Sequence, residues 1–96
     1  MNNFNVAGRL VKDVEAKTKN GKIFSFITVA VNMGKDNTEF LDITLFGKTA
    51  EITAQYGKKG DAIGVTGYIH KNGKDRDYTL SLIGNSVSFL SNKKEG

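Results

Sequence analysis

Apolar and polar residues alternate along much of this chain with the two-residue period of β-strands that cover a core with one face. Five stretches show the pattern, at residues 3–11, 23–32, 38–46, 61–70 and 76–90. In the first of them, Phe4, Val6 and Leu10 share one parity. The last stretch is long, so we expect it to bend near Gly84. The pattern predicts a small all-β protein.

Two sequence signals predict hairpin turns between these strands. Asn20-Gly21 precedes the second strand, and Asn72-Gly73 precedes the fifth. Asn-Gly is a preferred pair for two-residue turns of type I′, in which both central residues take a positive φ. We therefore expect one tight turn at each pair.

Residues 48–56 break the alternation. Ile52 and Tyr56 lie four residues apart, and Gly57 follows where a helix cap is expected. One short helix between the third and fourth of five strands is the order of the OB-fold, a partly open Greek-key barrel. We predict that residues 1–90 form this single domain and that residues 91–96 are a short polar tail.

The third strand carries the most informative pattern. Leu41, Ile43 and Leu45 fall on one face and are predicted core residues, whereas Phe40 and Phe46 fall on the other. Exposed phenylalanines are explained if they stack on nucleic-acid bases, because every base offers a flat π-face. The alternative is that the helix or a second subunit covers this face.

We expect two of the tyrosines to occupy different environments. Tyr68 has the parity opposite to Ile63 and Val65, so it either stacks on a base or packs with its hydroxyl group in water. Tyr78 has the parity of Leu80, and we expect it in the core or at its rim.

Basic residues lie around the predicted strand connections. Lys and Arg number 14 against 10 Asp and Glu, which gives a net charge of +4. Aromatic faces bordered by basic loops are typical of grooves for single-stranded nucleic acid. The candidate phosphate-binding residues are Lys12, Lys22, Lys35, Lys48, Lys59, Lys71, Lys74 and Arg76.

Other chemistry has little support in the sequence. The chain has no cysteine and a single histidine, His70, so a Cys–His pair is excluded and a Ser–His–acid set has no clear candidate. Asp13 and Glu15 are a weak cation site beside several lysines. We predict no cofactor, no metal site and no enzymatic activity. No secretory signal and no apolar run of about 20 residues is present, which favours the cytoplasm.

Three stretches of sequence resemble bacterial and phage single-stranded DNA-binding proteins. They are NVAGRLVKD at residues 5–13, ITVAVN at residues 27–32, and FLDITLFGKTAE at residues 40–51 followed by YGKKG at residues 56–60. The resemblance implies that Phe40 and Phe46 take the positions of the family's base-stacking aromatic residues. It also implies that Lys48 and Lys59 take those of its backbone-contacting lysines.

The resemblance further implies a biological role and an assembly. Proteins of this family coat single-stranded DNA during replication, recombination or repair, and they form dimers through the first strand that commonly pair into tetramers. We therefore expect a homo-oligomer, with the tetramer favoured. An OB-fold that binds RNA, or an adaptor for a replication protein, is the alternative; a nuclease is disfavoured by the lack of an acidic cluster.

The chain departs from the family pattern in three places. The hairpin at residues 70–76 is short and lacks the tryptophan often found there. Asp42 occupies a position where a basic residue is common. The family's acidic tip ending in Pro-Phe is absent, so recruitment of replication enzymes through such a tip is not expected.

Overall fold

The computed structural model describes residues 1–74 and 76–90, so the predicted tail at residues 91–96 lies outside the described residues. Among the described residues, the chain forms strands and one helix in an order close to the prediction. The elements are β1 (Phe4–Leu10), β2 (Lys17–Lys19), β3 (Lys22–Gly34), β4 (Asn37–Phe46), α1 (Gly47–Tyr56), β5 (Ala62–Lys74) and β6 (Asp77–Phe89).

Five of the strands close into a barrel. The strand order is β1-β5-β6-β4-β3-β2, and β1 also pairs with β3. This seam consists of two residue pairs, Arg9 with Ala30 and Leu10 with Val29. With α1 between β4 and β5, the arrangement confirms the predicted OB-fold. The additional strand, β2, was not predicted because three residues are too few to show an alternation.

The barrel interior contains the predicted apolar parity. Ile43 and Leu45 are 1% and 0% exposed, which confirms them as core residues, and Leu41 is half-buried. Burial of these side chains is the main stabilising contribution in a domain of this size. The core cluster consists of Leu10, Val14, Ile27, Val29, Ile43, Leu45, Ala50, Ile63 and Val65.

Helix α1 lies where it was predicted and packs on the barrel through small side chains. Ile52 and Tyr56 are exposed, whereas Ala50 and Thr53 are buried against the barrel. Small side chains on that face let the helix backbone approach the strands closely. Gly57 follows the helix with a φ of −79°, so it is not a left-handed cap. Instead, a Cβ at Gly57 would lie 2.7 Å from the carbonyl oxygen of Thr53.

The first predicted turn is confirmed, whereas the second predicted hairpin is present with its turn displaced to after Lys74. Asn20 and Gly21 have φ values of 52° and 77°, as a type I′ turn requires, and they join β2 to β3. Asn72 and Gly73 instead lie within β5, where Gly73 pairs with Tyr78. The backbone hydrogen bonds of the long β5–β6 ladder outweigh the local preference of Asn72-Gly73 for a turn, so the pairing continues beyond Gly73 to Lys74.

The predicted bend in the last strand is a β-bulge. Gly67 pairs with Gly84 and Thr66 pairs with Ser86, so Asn85 is the extra residue. Gly84 is buried, and a Cβ there would lie 2.7 Å from Cδ2 of Leu45. The bulge therefore falls where glycine lets β6 cross closely over the core.

Beyond the bulge, β5 and β6 continue as a two-stranded arm, which comprises residues 68–74 and 77–81. The pairing of β1 with β5 ends at Gly67, and that of β4 with β6 covers only residues 82–84 of β6. Tyr78 and Leu80 are 47% and 61% exposed because no strand packs across them. Tyr78 is therefore a surface residue of the arm rather than a core residue.

Candidate nucleic-acid interface

The outer surface of β3 and β4 is an aromatic face. Residues paired across neighbouring strands project to the same side, so Phe24 is beside Phe46 and Phe26 is beside Thr44. Between these positions, the residues of opposite parity point into the core. The barrel packing thus forces these phenylalanines outwards.

Three aromatic side chains surround an open groove on this face. Phe26, Phe46 and Tyr68 are 62%, 54% and 40% exposed, and the nearly buried Ile83 lies between β4 and β5 as an apolar floor. The groove has a volume of about 430 Å³. It is lined by Phe26, Thr44, Phe46, Tyr68, His70, Asn72, Ser81 and Ile83.

Phe40 lies on the same face but outside the groove. It pairs with Ala30 on β3, is 64% exposed, and does not line the groove that Phe46 borders. Thr28 and Asp42 form the cross-strand pair between the two phenylalanines. The face therefore offers Phe40 as a separate flat surface at some distance from Phe46.

Sequence reasoning missed Phe26 and its neighbour Phe24 as candidate residues. The rings of Phe24 and Phe26 meet edge to face, with 5.4 Å between their centroids. Half-buried Phe24 thus supports the exposed ring of Phe26. The signal was present in the sequence, because both phenylalanines have the parity opposite to the core residues Ile27 and Val29.

Two predicted lysines lie beside Phe46, at the end of the barrel where β4 meets α1. Lys22 and Lys48 line a second groove of about 500 Å³ together with Phe46. Lys48 is exposed, and its Nζ lies 3.7 Å from Oε1 of Glu51. This surface ion pair is weak and leaves the ammonium group accessible to an anion.

Strand β2 adds two lysines from the basic cluster at the first hairpin that were not among the candidate phosphate-binding residues. Lys17 pairs with Phe24, and Lys19 pairs with Lys22. Since paired residues share a side of the sheet, both lysines extend the aromatic face with positive charge. Their side of the sheet could not be predicted, because β2 itself was not predicted.

Other predicted basic residues lie at the end of β4 and β6 that is opposite to the end where β4 meets α1. β4 and β6 are parallel and both begin at that end, so the β3–β4 connection and the tip of the arm lie on the same side of the barrel. Lys35, Lys74 and Arg76 are exposed there. Lys35 also lines a separate groove of about 580 Å³ that includes Arg9.

Three predicted lysines are not brought to the aromatic groove. Lys71 pairs with Leu80 on the other side of the arm, and its Nζ lies 4.7 Å from the ring centroid of Tyr78. Lys12 follows β1 and is exposed. Lys59 is exposed in the loop after α1, where its backbone N–H donates a 2.8 Å hydrogen bond to Oδ1 of Asp13.

That hydrogen bond gives Asp13 a structural role in joining two loops.

Within residues 1–74 and 76–90, no group of three His, Asp or Glu side chains could hold a metal ion. No helix in the same part of the chain is long and apolar enough to span a membrane.

Known proteins resemble this chain over almost its whole length. Residues 1–90 match the single-strand binding protein family. Single-stranded DNA-binding protein 1 of Clostridium acetobutylicum is 35% identical, over 99% of this chain and 98% of its own length. Single-stranded DNA-binding protein B of Bacillus subtilis is 31% identical, over 92% of this chain and 88% of its own length. The chain therefore belongs to the single-strand binding protein family.

Proposed function

We propose that this chain binds single-stranded DNA with little sequence preference on the outer face of β3, β4, β5 and β6. The observation that carries the proposal is the groove formed by Phe26, Phe46 and Tyr68 around Ile83. Three exposed aromatic rings around an apolar floor are costly in water and favourable beneath stacked bases. The family is one of binding proteins rather than enzymes.

The aromatic residues act as stacking platforms in this proposal. Phe26, Phe46 and Tyr68 hold bases at the groove, and Phe40 holds another base further along the strand. Stacking contributes about 1–3 kcal/mol per base and tolerates any sequence, since every base has a π-face. No reading of base edges is needed for such binding.

The cations at the two ends of the aromatic face supply the attraction for phosphates. Lys22 and Lys48 lie beside Phe46, and Lys35 lies at the far end of the strands. Contacts of this kind release counterions and carry no sequence information. The wider set of proposed backbone contacts is Lys12, Lys17, Lys19, Lys59, Lys74 and Arg76. Lys71 is left out of this set, because it packs over Tyr78 on the other side of the arm.

The biological role follows from this mode of binding. A protein that covers exposed bases protects single strands formed during replication, recombination or repair. We place this activity in residues 1–90 and in the cytoplasm of a bacterial or phage-infected cell. Recruitment of replication enzymes through an acidic tip is not part of the proposal.

Competition binding tests the proposal. A labelled dT oligomer of about 16 nucleotides, the upper end of the site covered by one OB-fold, serves as the probe. Unlabelled DNA of the same length should displace it, and a duplex should compete far more weakly because its bases are already stacked. RNA that displaces the probe better than DNA does would favour an RNA-binding module instead.

We further propose that the chain forms a homo-oligomer, with a tetramer built from dimers. Residues Phe4–Arg9 of β1 pair with β5, whereas only Arg9 and Leu10 pair with β3. Within the described residues, the other edge of β1 is thus unpaired from Phe4 to Gly8, and such an edge favours pairing with a second strand. Light scattering across a range of concentrations is the test, and a monomer mass throughout would contradict it.

A further inference from the structure

An aspartate lies in the middle of the aromatic face, where a DNA-binding surface is expected to avoid negative charge. Asp42 is exposed on the same side of β4 as Phe40 and Thr44. Its Oδ1 accepts a 2.7 Å hydrogen bond from the hydroxyl group of Thr28, its cross-strand partner on β3. The carboxylate is therefore held in place by the sheet register and by one side chain.

The second carboxylate oxygen is available to a ligand. Among residues 1–74 and 76–90, no group donates a hydrogen bond to Oδ2 of Asp42, and no Lys or Arg nitrogen lies within ion-pair distance of it. A fixed acceptor of this kind repels phosphate groups, because like charges raise the energy of the complex. It favours a bound strand that turns its bases, rather than its backbone, towards Asp42.

Bases differ in what they offer to such an acceptor. Cytosine presents an N4 amino group, which Asp and Glu accept, whereas thymine presents the O4 acceptor at the same ring position. A carboxylate two residues from Phe40 on the same face is near the edge of a base stacked on that ring. The N4 amino group of cytosine can donate a hydrogen bond to the Asp42 carboxylate. Thymine instead places its O4 acceptor against the carboxylate oxygen, which is unfavourable.

On the basis of the proposed function, we propose that Asp42 accepts a hydrogen bond from the exocyclic amino group of a base stacked beside it, and so gives this protein a preference for cytosine over thymine. Thr28 acts as the positioning residue for the carboxylate. The preference is modest, since one net hydrogen bond changes an affinity by about 3- to 10-fold. Binding remains sequence-tolerant, with a bias at one position of the bound strand.

The test compares dC and dT oligomers of equal length at neutral pH. These pyrimidines have rings of the same size, so they differ little in stacking area. Because the free strands also differ in stiffness, the readout is the change in the dT-to-dC ratio of Kd between the wild-type protein and each variant. The variants are Asp42→Asn, Asp42→Ala, Thr28→Val and Thr28→Ser, and Glu39→Gln is the charge-matched control on the opposite side of β4.

We expect Asp42→Asn and Asp42→Ala to lower that ratio by about 3- to 10-fold, as the loss of one hydrogen bond predicts. Thr28→Val should lower it in the same direction, and Thr28→Ser should retain it. Glu39→Gln should leave it unchanged while binding both oligomers slightly more tightly. If both Asp42 variants bind the two oligomers more tightly by the same factor, Asp42 acts through charge alone and the inference is wrong. If the wild-type protein binds neither oligomer, the proposed function itself fails.

Discussion

Phe26 on β3 and Phe46 on β4 border one groove although they are twenty residues apart in the chain. Phe26 pairs with Thr44, which is two residues before Phe46 on the same side of the sheet. The β3–β4 register thus fixes the spacing of the two rings. Tyr68 reaches the same groove from β5, where it pairs with the floor residue Ile83.

Phe26→Ala should weaken binding of single-stranded DNA by about 1–3 kcal/mol, the contribution of one stacked base. Phe26 is exposed, so the variant should unfold at nearly the same denaturant concentration as the wild-type protein. Ile52→Ala is a suitable control, because Ile52 is an exposed apolar residue on α1 outside the groove. Fluorescence anisotropy with a labelled dT oligomer measures both affinities, and equal losses would contradict the assignment.

Phe40 and Phe46 should contribute independently to binding. They lie six residues apart on one strand, which places them about 20 Å from each other at about 3.3 Å per residue. Losses at sites this far apart usually add within about 0.5 kcal/mol. We expect the loss in Phe40→Ala/Phe46→Ala to equal the sum of the single losses. A double variant no weaker than one single variant would contradict independent stacking, because the loss of one ring would then already abolish the contribution of the other.

The salt dependence of binding should separate Lys48 from Lys71. On single strands, log affinity falls with log salt with a slope of about −0.7 for each phosphate neutralised. Lys48→Ala should therefore make the slope less steep by about 0.7, as expected for one lost phosphate contact. Lys71→Ala should change it less, because Lys71 packs over Tyr78 on the other side of the arm. Equal changes would place the DNA backbone on both sides of the arm.

Gly84→Ala should destabilise the fold by about 1–3 kcal/mol, as is usual when a methyl group is forced into a packed core. The new Cβ would lie 2.7 Å from Cδ2 of Leu45 and 2.9 Å from Cγ1 of Val65. Gly64→Ala is the matched control on a neighbouring strand, since its nearest contact is 3.7 Å. Urea unfolding measures both free energies, and equal stability of the two variants would contradict the packing described at the bulge.

The sequence was sufficient to predict the fold and the part of the aromatic face that lies on β4, but not the part on β3. Alternation in residues 38–46 identified Ile43 and Leu45 as core residues and turned Phe40 and Phe46 outwards, as the structure confirms. It could not predict which outward residues share a groove. That depends on the pairing of β3 with β4 and of β5 with β6, which is set by contacts between residues far apart in the chain.

The errors arose where long-range pairing overrode a local signal. Asn72 and Gly73 have the sequence of a turn, yet the β5–β6 ladder continues through them. Tyr78 has the parity of a core residue, but the arm extends beyond the strands that would cover it.

The most direct test of the account is tryptophan fluorescence of Phe40→Trp. The wild-type chain has no tryptophan, so the indole is a unique probe on the outer face of β4. Phe40 is 64% exposed, and its replacement by a larger ring should leave the fold intact and retain or strengthen binding. We predict that a saturating single-stranded oligomer quenches this fluorescence, whereas the same sequence as a duplex does not. Unchanged fluorescence in a sample whose mass by light scattering shows bound single-stranded DNA would contradict the account, because the proposed path of the strand along β4 holds one base on the ring at position 40.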